Sequence, residues 1–141
     1  MNKRIYLTFQ QSELDAVKMY QALADRAPEE SERQKLLQLG AVEGRHAAIL
    51  SKITGVHDLR PTDSMAKLLC RVDDLVGRKG TYLLLAAGEY GASWLYKPLA
   101  RVQSTLIEVG KQEAEHAVEL LRLIRSLPRA KADLPLRILQ R

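Results

Sequence analysis

The chain has 141 residues, a length typical of one domain. Hydrophobic residues make up 46% and charged residues 28%, which is the balance of an ordinary globular protein and excludes a disordered one. One cysteine, Cys70, excludes an internal disulfide and any cysteine-based zinc or iron–sulfur site. No apolar run reaches the ~18–20 residues of a membrane span, and no apolar signal core follows the N-terminus, so we expect a cytoplasmic protein.

The net charge of +5 is mild for a nucleic-acid-binding protein. The basic residues cluster in the tail, 128–141, which has no aromatic side chain to stack on a base. We therefore expect no nucleic-acid partner, and we divide the chain into a folded domain, 1–127, and this basic C-terminal tail.

Helical periodicity dominates the first half of the chain, where β-branched and aromatic residues are sparse. We predict a first helix over 8–26, stopped by Pro28, and a second over 31–54, ended by Gly55. Each would begin with a capping box, in which a hydroxyl residue is followed three residues later by glutamine. The two predicted boxes are Thr8 with Gln11 and Ser31 with Gln34.

The second half of the chain begins with a linker over 56–62. We predict a short helix over 63–76, a break at Gly77–Gly80, and long helices over 81–100 and 104–126. A long connection between the second and third long helices is typical of a four-helix bundle with a crossover. The predicted fold class is therefore all-α: a four-helix bundle with a crossover connection and a short extra helix before helix three.

The apolar seam of every long helix is interrupted near its middle by a glutamate, and two seams carry a histidine three residues later. These six residues are Glu13, Glu43, His46, Glu89, Glu113 and His116. Residues three apart share a helix face, so the two residues of each Glu-x-x-His pair can bind the same metal ion. The alternative is an ordinary set of surface pairs on amphipathic helices.

The negative charges of four carboxylates in one core must be neutralised. A buried, unpaired carboxylate costs several kcal/mol, against a net stability of about 5–15 kcal/mol for a domain. Two divalent cations would neutralise the four charges, and two neutral imidazoles would complete the coordination. Oxygen-rich sites with some imidazole suit iron or manganese. This ligand set is the one known for di-iron and di-manganese carboxylate bundles. We expect Glu43 and Glu113 to bridge two metals, while Glu13 and Glu89 each bind one.

An internal repeat supports two equivalent halves. Glu13 and Glu89 are each followed seven residues later by a tyrosine, Tyr20 or Tyr96, and then by Leu-Ala. Each of these segments precedes a Glu-x-x-His helix, so the halves would form two helical hairpins related by a pseudo-twofold axis. The tyrosines are either core residues with no further role, or residues that donate hydrogen bonds to the metal ligands or relay electrons to the site.

On these residues the chain resembles the ferritin-like di-iron superfamily, and most closely its rubrerythrin-like branch, over 8–126. The resemblance implies a non-haem di-iron centre that reacts with hydrogen peroxide or dioxygen. Typical rubrerythrins carry a further glutamate where this chain has Ala92, so their redox-linked ligand exchange is not implied here. They also carry a cysteine-rich rubredoxin domain. The single cysteine excludes one, so electrons would come from a separate donor protein.

Three functions follow from this resemblance. The first is a di-iron oxidoreductase, either a peroxidase or an oxidase, with no catalytic residue beyond the metal ligands. The second is a ferroxidase or an iron-binding storage or delivery protein. The third, oxygenation of an organic substrate, would need a sizeable apolar pocket beside the site, whereas the seams look filled by leucine, tyrosine and isoleucine. We also expect a homodimer, since the 56–62 loop could exchange helix pairs between chains.

Overall fold

A computed structural model describes residues 2–128 as a bundle of four helices without strands. The helices are α1 (Lys3–Arg26), α2 (Glu30–Thr54), α3 (Ser64–Ala100) and α4 (Leu106–Ser126). The predicted all-α four-helix bundle is confirmed. Within the described part, no helix has both the length and the apolar character needed to cross a bilayer. The predicted basic tail lies outside the described residues after Pro128.

The start of α1 differs from the prediction. The helix begins at Lys3, because the Asn2 side chain accepts a hydrogen bond from the Arg4 backbone N–H and caps the first turn. Thr8 therefore lies inside the helix, where its hydroxyl donates to the Arg4 carbonyl. The predicted capping box with Gln11 is wrong.

The second predicted capping box is also wrong. The Ser31 hydroxyl caps nothing, since α2 begins one residue earlier, with Glu29 at the N-cap and no side-chain hydrogen bond there. The Gln34 amide instead donates to the Glu30 carboxylate, 2.8 Å away. Acidic residues in this first turn face the positive end of the helix dipole, which stabilises the start without a cap.

The connection between α2 and α3 is fastened to α1. Gln10 donates a side-chain hydrogen bond to the Val56 carbonyl at 2.8 Å. Asp15 accepts two hydrogen bonds from Thr62, from its backbone N–H at 2.7 Å and from its hydroxyl at 3.0 Å. The loop therefore crosses its own bundle.

Helix α3 consists of two segments, 64–76 and 78–100, which meet at Gly77. This residue has φ 77° and ψ 174°, a conformation open to glycine alone. The first segment follows the direction of α1, from the Asp63–Lys18 ion pair to the Asp74–Arg26 pair. The second segment returns against α1. The predicted extra helix is confirmed, but the break before helix three is one residue and not four.

The apolar core is divided into two clusters, one toward each end of the bundle. The first is centred on Tyr20, Leu23, Leu36, Tyr82 and Leu120. The second is centred on Tyr6, Leu50, Tyr96, Leu106 and Val109. Between the two clusters lies a polar layer, and this layer contains the predicted site.

Glu32 has a structural role that its sequence position at the start of α2 did not suggest. Its carboxylate is buried, accepts a hydrogen bond from Tyr82 at 2.6 Å and pairs with Arg78 at 3.0 Å. Burial, and then the contact with Glu32, raises the pKa of Tyr82. This network locks the start of the second α3 segment onto α2.

Candidate metal centre

The six predicted residues come together in the polar layer at the middle of the bundle. All are buried, with at most 8% of the side chain exposed. Each helix contributes at the position where the prediction placed it: Glu13 from α1, Glu43 and His46 from α2, Glu89 from α3, and Glu113 and His116 from α4. The surface-pair alternative is therefore wrong.

The six residues form two overlapping groups, each able to hold a metal ion. One group is Glu13, Glu43, His46 and Glu113, and the other is Glu43, Glu89, Glu113 and His116. Within each group, one ligand atom per residue lies within 4.8 Å of the others. Both groups share Glu43 and Glu113, so these two carboxylates lie between the two positions.

The shared carboxylates face both histidines. Glu43 directs one oxygen toward His116, with Oε1 2.6 Å from Nδ1, and the other toward His46, with Oε2 3.6 Å from Nδ1. Glu113 Oε1 lies 2.9 Å from the Nδ1 atom of His46 and 4.0 Å from that of His116. The two imidazole centroids are 5.9 Å apart. This arrangement is the one expected of two bridging glutamates.

The other two glutamates each face one histidine. Glu13 Oε2 lies 3.6 Å from His46 Nδ1, and Glu89 Oε2 lies 3.7 Å from His116 Nδ1. Each carboxylate therefore presents one oxygen to one metal position and keeps the other oxygen free for a different partner.

That partner is a tyrosine from the opposite hairpin. The Tyr96 hydroxyl donates to Glu13 Oε1 at 2.5 Å, and the Tyr20 hydroxyl donates to Glu89 Oε1 at 2.6 Å. Of the two interpretations left open by the sequence, the structure shows hydrogen-bond donors that are also core residues. Each tyrosine holds the glutamate of the other half of the repeat, so the two hairpins orient each other's ligands.

The orphaned polar atoms of this layer fit a metal site. Among the described residues, five buried side-chain atoms lack a hydrogen-bond partner, and four of them belong to the six residues. These four are the Nδ1 atoms of His46 and His116 and the Oε1 atoms of Glu43 and Glu113. They lie close together without directed hydrogen bonds, although buried polar atoms are normally satisfied. Two cations, one in each group, would satisfy all four.

Gln112 orients one imidazole and was not found by the sequence analysis. Its side-chain oxygen lies 2.7 Å from His46 Nε2. An amide oxygen only accepts, so Nε2 carries a proton, and once the ring is neutral Nδ1 can direct its lone pair into the site. The only signal in the sequence was its position, beside Glu113.

Two glycines set the distance between the helices of each hairpin. A Cβ atom at Gly40 would lie 3.1 Å from the Tyr20 Cβ, and one at Gly110 would lie 3.3 Å from the Tyr96 Cβ. Each glycine comes three residues before a shared glutamate, so the repeat is Gly-x-x-Glu-x-x-His. Both glycines therefore let the two helices of their hairpin approach closely.

Without metal, protons compensate the charges of the site. Burial raises the pKa of Glu13 to about 8 and that of Glu113 to about 9. Burial opposes ionisation of Glu43 too, but its close contacts with Glu13 and His116 hold its pKa well below the usual range. Burial disfavours imidazolium, yet contact with the carboxylates raises the pKa of His46 to about 12 and of His116 to about 10. In the metal-free protein, bound protons therefore neutralise the charges that cations would neutralise in the loaded protein.

A groove between α1 and α3 opens onto the carboxylate side of the site. It has a volume of about 980 Å³ and mainly apolar walls, and all four glutamates line it, whereas neither histidine does. Ala92 forms part of its wall. The expectation that the seams leave no sizeable apolar space beside the site is wrong. The small side chains at Gly88 and Ala92 leave this space open.

Comparison of the chain with protein-family models, with curated proteins and with solved structures finds no match. What the site does is therefore deduced from its own geometry and chemistry. The geometry shows a buried cluster of carboxylates and imidazoles that could hold two metal ions inside an all-α four-helix bundle.

Proposed function

We propose that this protein is a non-haem di-iron oxidoreductase that reduces hydrogen peroxide or dioxygen. The observation that carries the proposal is the pair of buried metal positions that share Glu43 and Glu113. Four carboxylates and two imidazoles are a hard, oxygen-rich donor set, which favours iron or manganese over zinc in a structural role. A diferrous pair would supply the two electrons that, with two protons, convert hydrogen peroxide to two molecules of water.

The protein's own residues would hold and orient this pair. Tyr20 and Tyr96 each hold one oxygen of a terminal glutamate, which leaves the other oxygen directed at the site. Gln112 selects the neutral tautomer of His46 that offers Nδ1 as a ligand. Because these orienting groups belong to rigid helices, the ligand geometry is preorganised before metal binds.

The groove gives small molecules access to the site, which favours a reaction with a small oxidant over a purely structural metal site. The groove between α1 and α3 reaches the four glutamates from outside, while the two histidines are buried and do not line it. Structural metal sites are normally closed by their ligands, and reactive ones keep an open position. The protons of the reduction would come from water in this groove or from a ligand glutamate.

An anaerobic titration with ferrous iron tests the proposal. We expect saturation near two irons per chain, and we expect Glu113→Ala to abolish binding at both positions, since both share this carboxylate. The matched control is Glu115→Ala, which removes an exposed glutamate two residues along the same helix. Wild-type binding in the control separates loss of the site from a general change in charge. Absence of stoichiometric binding in the native protein would refute the proposal.

Oxidant preference then assigns the reaction. Oxidation of the loaded protein is followed by near-ultraviolet absorbance after separate additions of hydrogen peroxide and dioxygen. Much faster oxidation by peroxide supports a peroxidase. Dioxygen-driven turnover with continued iron uptake would instead support a ferroxidase that stores or delivers iron.

A further inference from the structure

We infer that the groove between α1 and α3 is a binding site for a long-chain carboxylate, whose hydrocarbon chain passes the carboxylate side of the metal centre. The inference goes beyond the proposed reaction with a small oxidant. A molecule of hydrogen peroxide or dioxygen needs no groove of about 980 Å³. Pockets of this size and apolar character are typical of organic ligands.

The groove is elongated along α1. Its lining extends from Arg4 to Met19, fifteen residues that correspond to about 22 Å of helix. Apolar side chains of α3 form the opposite wall, and Met65 and Leu69 of the first α3 segment line it toward the Met19 end. A groove of this length along one helix fits an extended chain better than a compact ring system.

The middle of the groove is open for a physical reason. Gly88 lies directly before Glu89, and a Cβ atom added at Gly88 would meet nothing within 4 Å. Together with Ala92 it leaves the α3 wall without large side chains at the level of the metal centre. The buried Glu43 and Glu113 line the groove there, together with Glu13 and Glu89. The groove therefore reaches the carboxylates of the site.

One end of the groove carries a free positive charge. Arg4 is exposed and lines the groove, and among the described residues no carboxylate forms an ion pair with its guanidinium. A guanidinium at the mouth of an apolar trough is complementary to a carboxylate head group with a hydrocarbon tail. Glu13 lies nine residues further along α1, about 14 Å away. At about 1.2 Å per bond, about twelve bonds span this distance, so carbons in the methyl-terminal half of a sixteen-carbon chain would pass the metal centre.

Binding is tested with a fluorescent polyene fatty acid as the probe and the full-length, metal-free protein. We expect one probe per chain, with displacement by palmitate. Gly88→Phe should weaken binding at least about tenfold, because its benzyl group takes the space of several methylene groups. Gly91→Phe is the matched control: Gly91 is also an exposed helical glycine with nothing within 4 Å of its Cβ position, but it does not line the groove. Equal loss in both variants would overturn the inference.

The head group is tested separately. Arg4→Glu should weaken binding of the carboxylate probe several-fold and leave binding of its methyl ester unchanged. Sedimentation of the native protein tests a different occupant. If a second copy of the chain covers the groove, the protein sediments as a dimer, the probe does not bind, and Gly88→Phe disrupts the dimer; this result would overturn the inference.

The orientation is tested by nuclear magnetic resonance with palmitate labelled with ¹³C at the carboxyl carbon and at carbons of the methyl-terminal half. In protein loaded with Mn²⁺, we expect the strongest paramagnetic broadening at the carbons of the methyl-terminal half. Strongest broadening at the carboxyl carbon would overturn the assignment of Arg4 as the head-group site. This experiment rests on the proposed metal function, whereas probe binding to metal-free protein does not, so the failure of one is distinguishable from the failure of the other.

Discussion

Metal loading should release about four protons per chain at pH 7. In the metal-free protein, the pKa values of His46 and His116 are about 12 and about 10, so both rings are imidazolium at this pH. The carboxyls of Glu13 and Glu113, with pKa values of about 8 and about 9, hold one proton each. Coordination requires neutral imidazoles and ionised carboxylates, so two cations displace two protons from the rings and two from the carboxyls.

The sign of the pH dependence follows from this exchange. Protons compete with the cations, so metal affinity falls as the pH is lowered and rises as it is raised. Between pH 6 and 7, the product of the two association constants should increase by about four powers of ten per pH unit, since about four protons leave. Above pH 9 the release should fall toward two, because Glu13 and Glu113 are then already ionised.

Isothermal titration calorimetry with Mn²⁺, without oxygen, measures the release. Two buffers of the same pH but different ionisation enthalpy report the number of protons from the difference in observed heat. Glu115→Ala, which lies outside the site, should leave the number unchanged. Release of less than one proton per pair of cations would refute the reasoning, because the metal-free site would then not be neutralised by protons.

Three further substitutions test the supporting residues. The free energy of unfolding in urea should be about 1–3 kcal/mol lower for Gly40→Ala than for Gly91→Ala. Both substitutions raise helix propensity, but only the one at Gly40 places a methyl group too close to a neighbouring side chain. Equal free energies of unfolding would contradict close packing at Gly40. Tyr96→Phe should destabilise the metal-free protein by about 1–3 kcal/mol, measured by urea unfolding, because a buried hydrogen bond to Glu13 is lost. An unchanged free energy of unfolding would show that this hydrogen bond does not stabilise the protein. Gln112→Leu should weaken Mn²⁺ binding about 10–100-fold, since His46 loses its orienting partner; unchanged affinity in calorimetry would show that the partner is dispensable.

The six candidate metal ligands could be predicted from the sequence because their pattern is local. Helical periodicity alone puts Glu43 and His46 on one face, and the seam in which they occur faces the bundle core. The helix boundaries were less predictable. Asn2, and not the predicted Thr8, caps α1, because several residues near a helix start can accept from the free N–H groups and the sequence alone does not show which one does.

Other features of the site arise only when the helices pack. The donation from Tyr20 to Glu89 joins residues 69 positions apart, and no helical period relates them. The contact between Gln112 and His46 likewise joins α4 to α2. The reversal at Gly77, a single residue with positive φ, places the first α3 segment beside α1 and so forms one end of the groove.

The sequence by itself therefore determined the all-α bundle, its crossover and the six candidate ligands, because each follows from the spacing of residues along a single helix. The tertiary structure alone decided three things: which tyrosine holds which glutamate, which imidazole has an orienting amide, and that the carboxylate side of the site is open. These depend on the distance and rotation between helices, which are set by packing at positions such as Gly40 and Gly110 and not by any local pattern.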